Sequence, residues 1–319
     1  FEKSKASDVI CTNGGSEALL LAFLTMCDPG DEIICPEPLY ANYVTLALLA
    51  GVVIKGVPTS AADGYRLPST EALRAAVSPR TRGILWSSPS NPTGCVYTLD
   101  ELRRLCALAD ERDLYLIADE VYGDFFFGAQ RAPSIRDLPD DVARPDRVVI
   151  VDSVSKRWAA CGARLGWFYS RNEVLKGAVM RAAMSRLSPP MISERMVQAV
   201  TRLPESYYSA IQTEYQKRRD VCLAGVNAIK GARAGNPQGA FYLFVELPVD
   251  DTDKFSEFLL KEFQHEGETV SVAPGSGFYA SQPASKKEIR LAYVLESEQL
   301  RRAMQVLGFA VDAYNKRGA

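Results

Sequence analysis

The chemistry in this sequence sits in short polar strings that follow apolar runs. Ser153-Val154-Ser155-Lys156 places an amine beside two hydroxyls, with Arg164 eight residues on. Asp119 follows the mostly apolar Leu114–Ala118, with Tyr122 close behind; an acid so placed is expected to be buried with a charged partner. In Ser88-Pro89-Ser90-Asn91-Pro92-Thr93-Gly94 two prolines flank an asparagine and freeze a turn that aims one amide, although a plain structural turn has the same composition. Asn13-Gly14-Gly15-Ser16 opens a helical pattern. Its free N–H groups, the helix dipole and the Ser16 hydroxyl make a phosphate cradle, and equally an ordinary helix N-terminus. Neither GxxxxGKS/T nor GxGxxG is matched there, so a P-loop and a dinucleotide fingerprint are excluded at this turn.

Together these groups meet one set of requirements. An amine can form a Schiff base with an aldehyde; a carboxylate can keep a pyridine nitrogen protonated; hydroxyls, a glycine turn and a guanidinium can hold a phosphate. Those are the needs of pyridoxal phosphate, whose ring is an electron sink for the carbanion formed at an amino acid's Cα. Protonation makes the ring a far better sink, hence the acid. The single histidine, His265, leaves no His-rich metal site and no HExxH helix, and no metal is expected. His265 is read instead as the last residue of a helix, where it suits the dipole.

The elements that must position these groups alternate. Strands are expected at Asp8–Thr12, Glu32–Cys35, Val52–Val57, Arg82–Ser87, Leu114–Ala118, Arg147–Asp152 and Ala163–Tyr169. Helices are expected at Glu17–Met26, Leu39–Leu49, Ser69–Val77 and Leu99–Arg112, with start signals at Ser69 and at Thr98 with Glu101. Such alternation, with near-continuous apolar strands, means an α/β fold: a mostly parallel sheet flanked by helices. Ligands of these sheets bind at the carboxyl ends of the strands. From Pro204 the texture changes to a long helix (Glu205–Ile229), strands at Ala240–Leu247, Thr269–Ala273 and Glu288–Tyr293, and helices at Asp253–His265 and Ser297–Tyr314. The chain thus divides into a cofactor-binding large domain, 1–203, and a smaller α+β C-terminal domain with its linking helix, 204–319.

The 319 residues, 47% hydrophobic and 24% charged, suit about two ordinary globular domains. A net charge of −2 without a long basic run argues against nucleic acid or an anionic membrane as partner. The longest apolar stretch, Tyr43–Ile54, is interrupted and too short to span a bilayer. Seven cysteines with no CxxC pair are read as free thiols in a reducing compartment, the cytoplasm.

The strings TNGGSEAL, PEPLYANY, SSPSNPTG, ADEVY, SVSKRW, RLGW and EIRLAY, in this order, resemble the class I/II aminotransferases of the pyridoxal-phosphate fold type I superfamily, of the aspartate aminotransferase kind. Their intervals agree too: 28 residues from Asn91 to Asp119, 37 from Asp119 to Lys156 and 134 from Lys156 to Arg290. The resemblance implies that Lys156 carries the cofactor as a Schiff base and then shuttles the substrate proton. It implies that Asp119 pairs with the ring nitrogen, that Asn91 and Tyr122 bond the ring's phenolic oxygen, and that Tyr40 stacks on the ring face. Gly15, Ser16, Ser153 and Arg164 would bind the phosphate, and Arg290, with Asn91 nearby, the substrate α-carboxylate. Ser155 is assigned equally to orienting the lysine or to the phosphate.

The implied function is transfer of an amino group from an amino acid, aspartate favoured, to a 2-oxo acid such as 2-oxoglutarate. A carbon–sulfur β-lyase would share the same residues, and a non-catalytic regulator built on this fold is the rival from another class. A homodimer is implied, and Leu39–Leu49 carries more apolar residues than one sheet face needs. The family has a further N-terminal segment supplying part of the small domain, a substrate cover and a tyrosine for the partner's phosphate. The chain opens on Phe1 rather than Met, so it is expected to be a piece of a longer protein. Arg186 lies in a region that approaches the partner's site in the family, and is read as an exposed helix-end arginine.

Overall fold

The computed structural model describes residues 4–128, 131–200, 202–282 and 284–317; Phe1 lies outside them. Seven strands form the larger sheet: β1 (Val9–Thr12), β2 (Glu32–Glu37), β3 (Val53–Pro58), β4 (Thr81–Ser87), β5 (Tyr115–Asp119), β6 (Val148–Ser153) and β7 (Gly166–Ser170). Their spatial order is β1-β7-β6-β5-β4-β2-β3. The run from β6 to β3 is parallel, while β7 is antiparallel to both neighbours. Helices α1 (Gly15–Met26), α2 (Asn42–Leu49), α3 (Thr70–Ala76), α4 (Leu99–Arg112), α5 (Asp140–Ala143) and α6 (Val154–Arg157) lie between the strands, and α7 (Glu173–Met184) and α8 (Met191–Val200) follow β7.

The inner strands β2, β4, β5 and β6 are near-continuously apolar because both faces are covered, and successive side chains divide between two cores. Ile84, Trp86, Leu116, Ala118, Val148 and Ile150 pack on one side with Leu102 and Leu105 of α4. Leu85, Ile117, Val149 and Val151 pack on the other with Leu19 and Phe23 of α1 and Val179 of α7. The Thr98/Glu101 capping box and the Ser69 cap start α4 and α3 as expected.

The chain then runs through α9 (Glu205–Ala228), β8 (Arg233–Ala234), β9 (Tyr242–Glu246), α10 (Thr252–Lys261), β10 (Ala273–Pro274), β11 (Glu288–Ala292) and α11 (Ser297–Lys316). The four strands make an antiparallel sheet in the order β10-β11-β9-β8, and Val226, Val245, Phe255, Ile289 and Leu307 share its core. No helix among the described residues is long and apolar enough to cross a membrane.

Some expectations need correction. The helix expected from Leu39 begins only at Asn42, and the Leu39 N–H donates to the Phe278 carbonyl at 2.8 Å. The helix expected to end at His265 ends at Lys261. Glu266 and Gly267 both take positive φ and make a tight turn that pairs His265 with Glu268, and the imidazole packs on the Phe309 ring at 4.1 Å. The strand at Thr269–Ala273 shrinks to Ala273–Pro274, where β11 offers partners. Helices α7 and α8 were not anticipated, although Asn172 caps α7 and Leu175, Val179 and Ala183 form its buried stripe.

One glycine brings the sheet to the site. Gly166 pairs with Thr12 on one side and Ser153 on the other. A Cβ there would stand 2.5 Å from the Gly14 carbonyl carbon and 2.7 Å from the Gly15 nitrogen. Backbone cannot yield as a side-chain tip can. Gly166→Ala is therefore expected to cost about 1–3 kcal/mol of stability, read as a lower denaturant midpoint with an unchanged slope. A wild-type midpoint would contradict this packing.

Candidate active site

The carboxyl ends of β4, β5 and β6 and the start of α1 open into a cleft of about 300 Å³. All ten residues named from the sequence line it: Gly15, Ser16, Tyr40, Asn91, Asp119, Tyr122, Ser153, Lys156, Arg164 and Arg290. They come from seven separate stretches of chain, so the convergence is a product of the fold.

One end suits a phosphate. Gly14 takes a φ of +82°, and a Cβ on it would meet the Arg164 guanidinium at 2.6 Å, so only glycine lets that side chain lie over the α1 N-terminus. Arg164 takes a left-handed backbone and is held by its Nη1 donating to the Cys161 carbonyl at 2.9 Å. The Ser16 hydroxyl accepts from Asn42 Nδ2 at 3.4 Å, and Ser153, at the end of β6, caps α6 by accepting from the Ser155 N–H at 3.3 Å.

At the floor, Asp119 ends β5 with 5% of its surface exposed. Burial pushes its carboxyl up to about 6, against the Tyr43 hydroxyl, which donates to Oδ2 at 2.5 Å, and the Val121 N–H, which donates to Oδ1 at 3.3 Å. Tyr40 stands before α2, half-buried, with its ring edge-to-face on Tyr43 at 5.4 Å.

Lys156 projects from the single turn of α6, with Nζ 5.8 Å from the centre of the Phe241 ring. Burial lowers the ammonium pKa, and Arg290 and Arg164 act in the same direction. No ion pair to a described residue holds the amine. Asn91, on the loop beyond β4, accepts from Arg290 Nη1 through Oδ1 at 3.0 Å. Tyr122 and Tyr242 share a hydrogen bond of 3.0 Å between their hydroxyls, and burial drives the Tyr122 phenol well above its ordinary value. Arg290 of β11 lies over the Tyr242 ring at 4.6 Å and the Phe278 ring at 5.0 Å.

The residues present fit pyridoxal phosphate. A cradle that one Cβ would fill stands at one end, a buried acid at the floor, and an amine without an anionic partner between them. The buried Arg290 Nε has no hydrogen-bond partner and is available to an anion. The sequence reading missed Tyr43, Tyr242 and Cys161, which also line the cleft. For Tyr43 the signal was present: it follows Tyr40 by three residues at a helix start. Tyr242 comes from the second sheet and had no local signal. Arg186 is not the exposed residue expected: 20% of its side chain is exposed, its Nε pairs with Glu17 Oε1 at 2.9 Å, and Nη2 donates to the Cys11 carbonyl at 2.7 Å.

Comparison with known proteins identifies the family. The family model for aminotransferase class I and II matches residues 1–307. The aspartate/prephenate aminotransferase of Thermus thermophilus is 33% identical over 303 residues, covering 93% of this chain and 74% of that protein. The aspartate aminotransferase of Bacillus subtilis is 30% identical over 311 residues, covering 94% and 75%. Among solved structures, the aspartate aminotransferase of Thermotoga maritima superposes with a TM-score of 0.86 at 28% identity, over 97% of this chain and 77% of its own. The chain belongs to the class I and II aminotransferases and is a pyridoxal-phosphate-dependent transaminase acting on amino acids and 2-oxo acids.

Proposed function

We propose that this enzyme moves the amino group of aspartate to a 2-oxo acid such as 2-oxoglutarate, with the ten cleft residues in the roles that follow. The observation that carries this reading is the convergence of Lys156, Asp119, Asn91, Tyr122, Arg164 and Arg290 on one cleft. Aspartate is favoured by the names of the relatives.

When bound, pyridoxal phosphate supplies an aldehyde carbon that captures an amine and a ring that takes up the electron pair left at the substrate's Cα. Lys156 Nζ holds the cofactor between turnovers and then carries the proton to and from Cα; burial lowers its pKa toward the range where an amine can accept that proton. Asp119 keeps a proton on the ring nitrogen. Asn91 spends Oδ1 on Arg290, so its Nδ2 is the side that donates to the ring's phenolic oxygen, and Tyr122 donates to the same atom. Arg290, with Nε unpartnered, takes the substrate α-carboxylate through a guanidinium fork. Gly15, Ser16, Ser153 and Arg164 hold the phosphate, and Tyr40 covers the ring face.

In this reading residues 1–203 bind the cofactor and 204–319 form the smaller domain that brings Arg290. Two copies pair: Leu48 and Leu49 of α2 and Met191 and Ile192 of α8 are large apolar side chains left in solvent by one copy. The seven free cysteines suit a reducing cytoplasm.

The first test adds single amino acids to the purified holoenzyme and follows the cofactor's absorbance. Aspartate is expected to convert it to the aminated form, with the band restored by 2-oxoglutarate. Borohydride is expected to label Lys156, and Lys156→Ala to abolish both. Ammonia release without an acceptor, or a label on another lysine, would contradict the reading.

The second test concerns Asp119. Its folded pKa is raised above the unfolded value, so folding loses stability as pH rises from about 4 through about 6, and the loss is complete above that. Cofactor-free Asp119→Asn should therefore melt higher than wild type at pH 8, by on the order of 1–3 kcal/mol, with the gap shrinking toward pH 4. Its turnover should fall by at least about 100-fold. Equal melting at pH 8 would show that the carboxylate is not held at a cost.

A further inference from the structure

The residue after the reactive lysine makes contacts that the roles above do not use. Arg157 closes α6, with 19% of its side chain exposed. Its Nη2 donates to Asp152 Oδ2 at 2.8 Å, and its Nη1 pairs with Asp124 Oδ2 at 2.9 Å. Asp152 lies near the end of β6, 3% exposed, and its Oδ1 accepts the Ser153 N–H at 2.7 Å. Asp124 belongs to the turn after β5, two residues past Tyr122. The guanidinium lies against that turn at Gly123, where a Cβ would stand 3.6 Å from Nη2.

One cation thus ties α6, the end of β6 and the Tyr122 turn together. Alternative partners are engaged elsewhere: Glu120 accepts from the Ser134 hydroxyl at 2.7 Å and pairs with Arg136 at 3.5 Å. Arg157 Nε is buried with no partner, so the side chain is placed to reach two acids and leaves one of its own donors unmet. A helix of one turn has no stability of its own, so the direction of Lys156 depends on what grips the two ends of α6. Ser153 grips the start. Beyond the end, Trp158 Nε1 donates to the Tyr208 hydroxyl on α9 at 3.0 Å, and α9 meets the β5 turn where Gln212 Nε2 donates to the Asp124 carbonyl at 3.1 Å, so this link to the turn is indirect. Only the Arg157 bridge, among the described contacts of α6, runs to the turn that holds Tyr122.

We propose that Arg157 is a positioning residue for transamination: by bridging Asp152 to Asp124 it sets Lys156 against Tyr122 and the cofactor between them. This rests on the reading of Lys156 as the lysine that carries the cofactor. Arg157→Lys keeps a cation but reaches one acid, and Asp124→Asn removes the outer arm while leaving Asp152 paired. Neither residue lines the cleft.

The test compares the two single variants and the double variant as holoenzymes. Each single is expected to lower kcat by about 10–100-fold, with KM for the amino donor within about 2-fold of wild type. The visible circular dichroism of the bound cofactor should change with it. The double variant should be no worse than the more affected single, because both remove one bridge. Wild-type kcat and circular dichroism in both singles would overturn the proposal, as would losses that multiply in the double variant. Borohydride labelling separates the two levels: a label on another lysine removes the Lys156 reading and this inference with it, whereas a label on Lys156 with unchanged circular dichroism removes this inference alone.

Discussion

Asp119 sits at the carboxyl end of a strand buried on both faces, and burial holds its carboxyl up at about 6 even with the hydrogen bonds that lower it. In the role proposed for it, facing a protonated ring, it must stay ionised at neutral pH, and its neighbours suit that demand. The hydroxyl of Tyr43, a fully buried residue, gives its donor to one carboxylate oxygen, and the Val121 N–H gives a weaker one to the other. Charge of the opposite sign is kept within the same cleft by Lys156, Arg164 and Arg290. A sheet whose neighbouring strands β4, β5 and β6 all end here puts Asn91, Asp119 and Ser153 side by side without any of them leaving its own strand end or loop.

The same arrangement explains why the two sheets must meet. Arg290 comes from β11 of the smaller sheet, yet it is fastened to Asn91 of the larger one at 3.0 Å and rests on Tyr242. Tyr242 in turn bonds Tyr122, beyond β5. Arg290 and Tyr122 therefore share one aromatic support, in which Tyr122, Phe125, Phe241 and Tyr242 pack edge on or tilted at 4.8–6.4 Å. A shift of the smaller sheet moves both groups together.

The parts of this site that were legible in the sequence are those whose chemistry is local. Gly14-Gly15-Ser16 must turn before it becomes a helix, Asn91 is fixed by flanking prolines, and Asp119 and Lys156 each follow an apolar strand by at most a few residues. A buried strand reads as a continuous apolar run, which is why β2, β4, β5 and β6 were placed close to their observed bounds. The failures are long-range. Nothing near Asp119 says that a phenol 76 residues earlier would donate to it, and nothing near Arg157 says that Asp124 is its partner. His265 was misplaced because a tight turn at Glu266-Gly267 overrode the helical pattern. Arg186 looked free because Glu17 is far away in the chain.

The central claim is that a buried, charged Asp119 holds the proton on the cofactor ring, and the nitrogen that would carry that proton reports on it directly. The measurement is the 15N chemical shift of pyridoxal phosphate labelled at the ring nitrogen and bound to the wild-type enzyme between pH 6 and 8, beside Asp119→Ala. The account predicts a protonated ring throughout that range in wild type and a neutral ring in the variant. A neutral ring in wild type, or a protonated ring that survives the loss of Asp119, would contradict it.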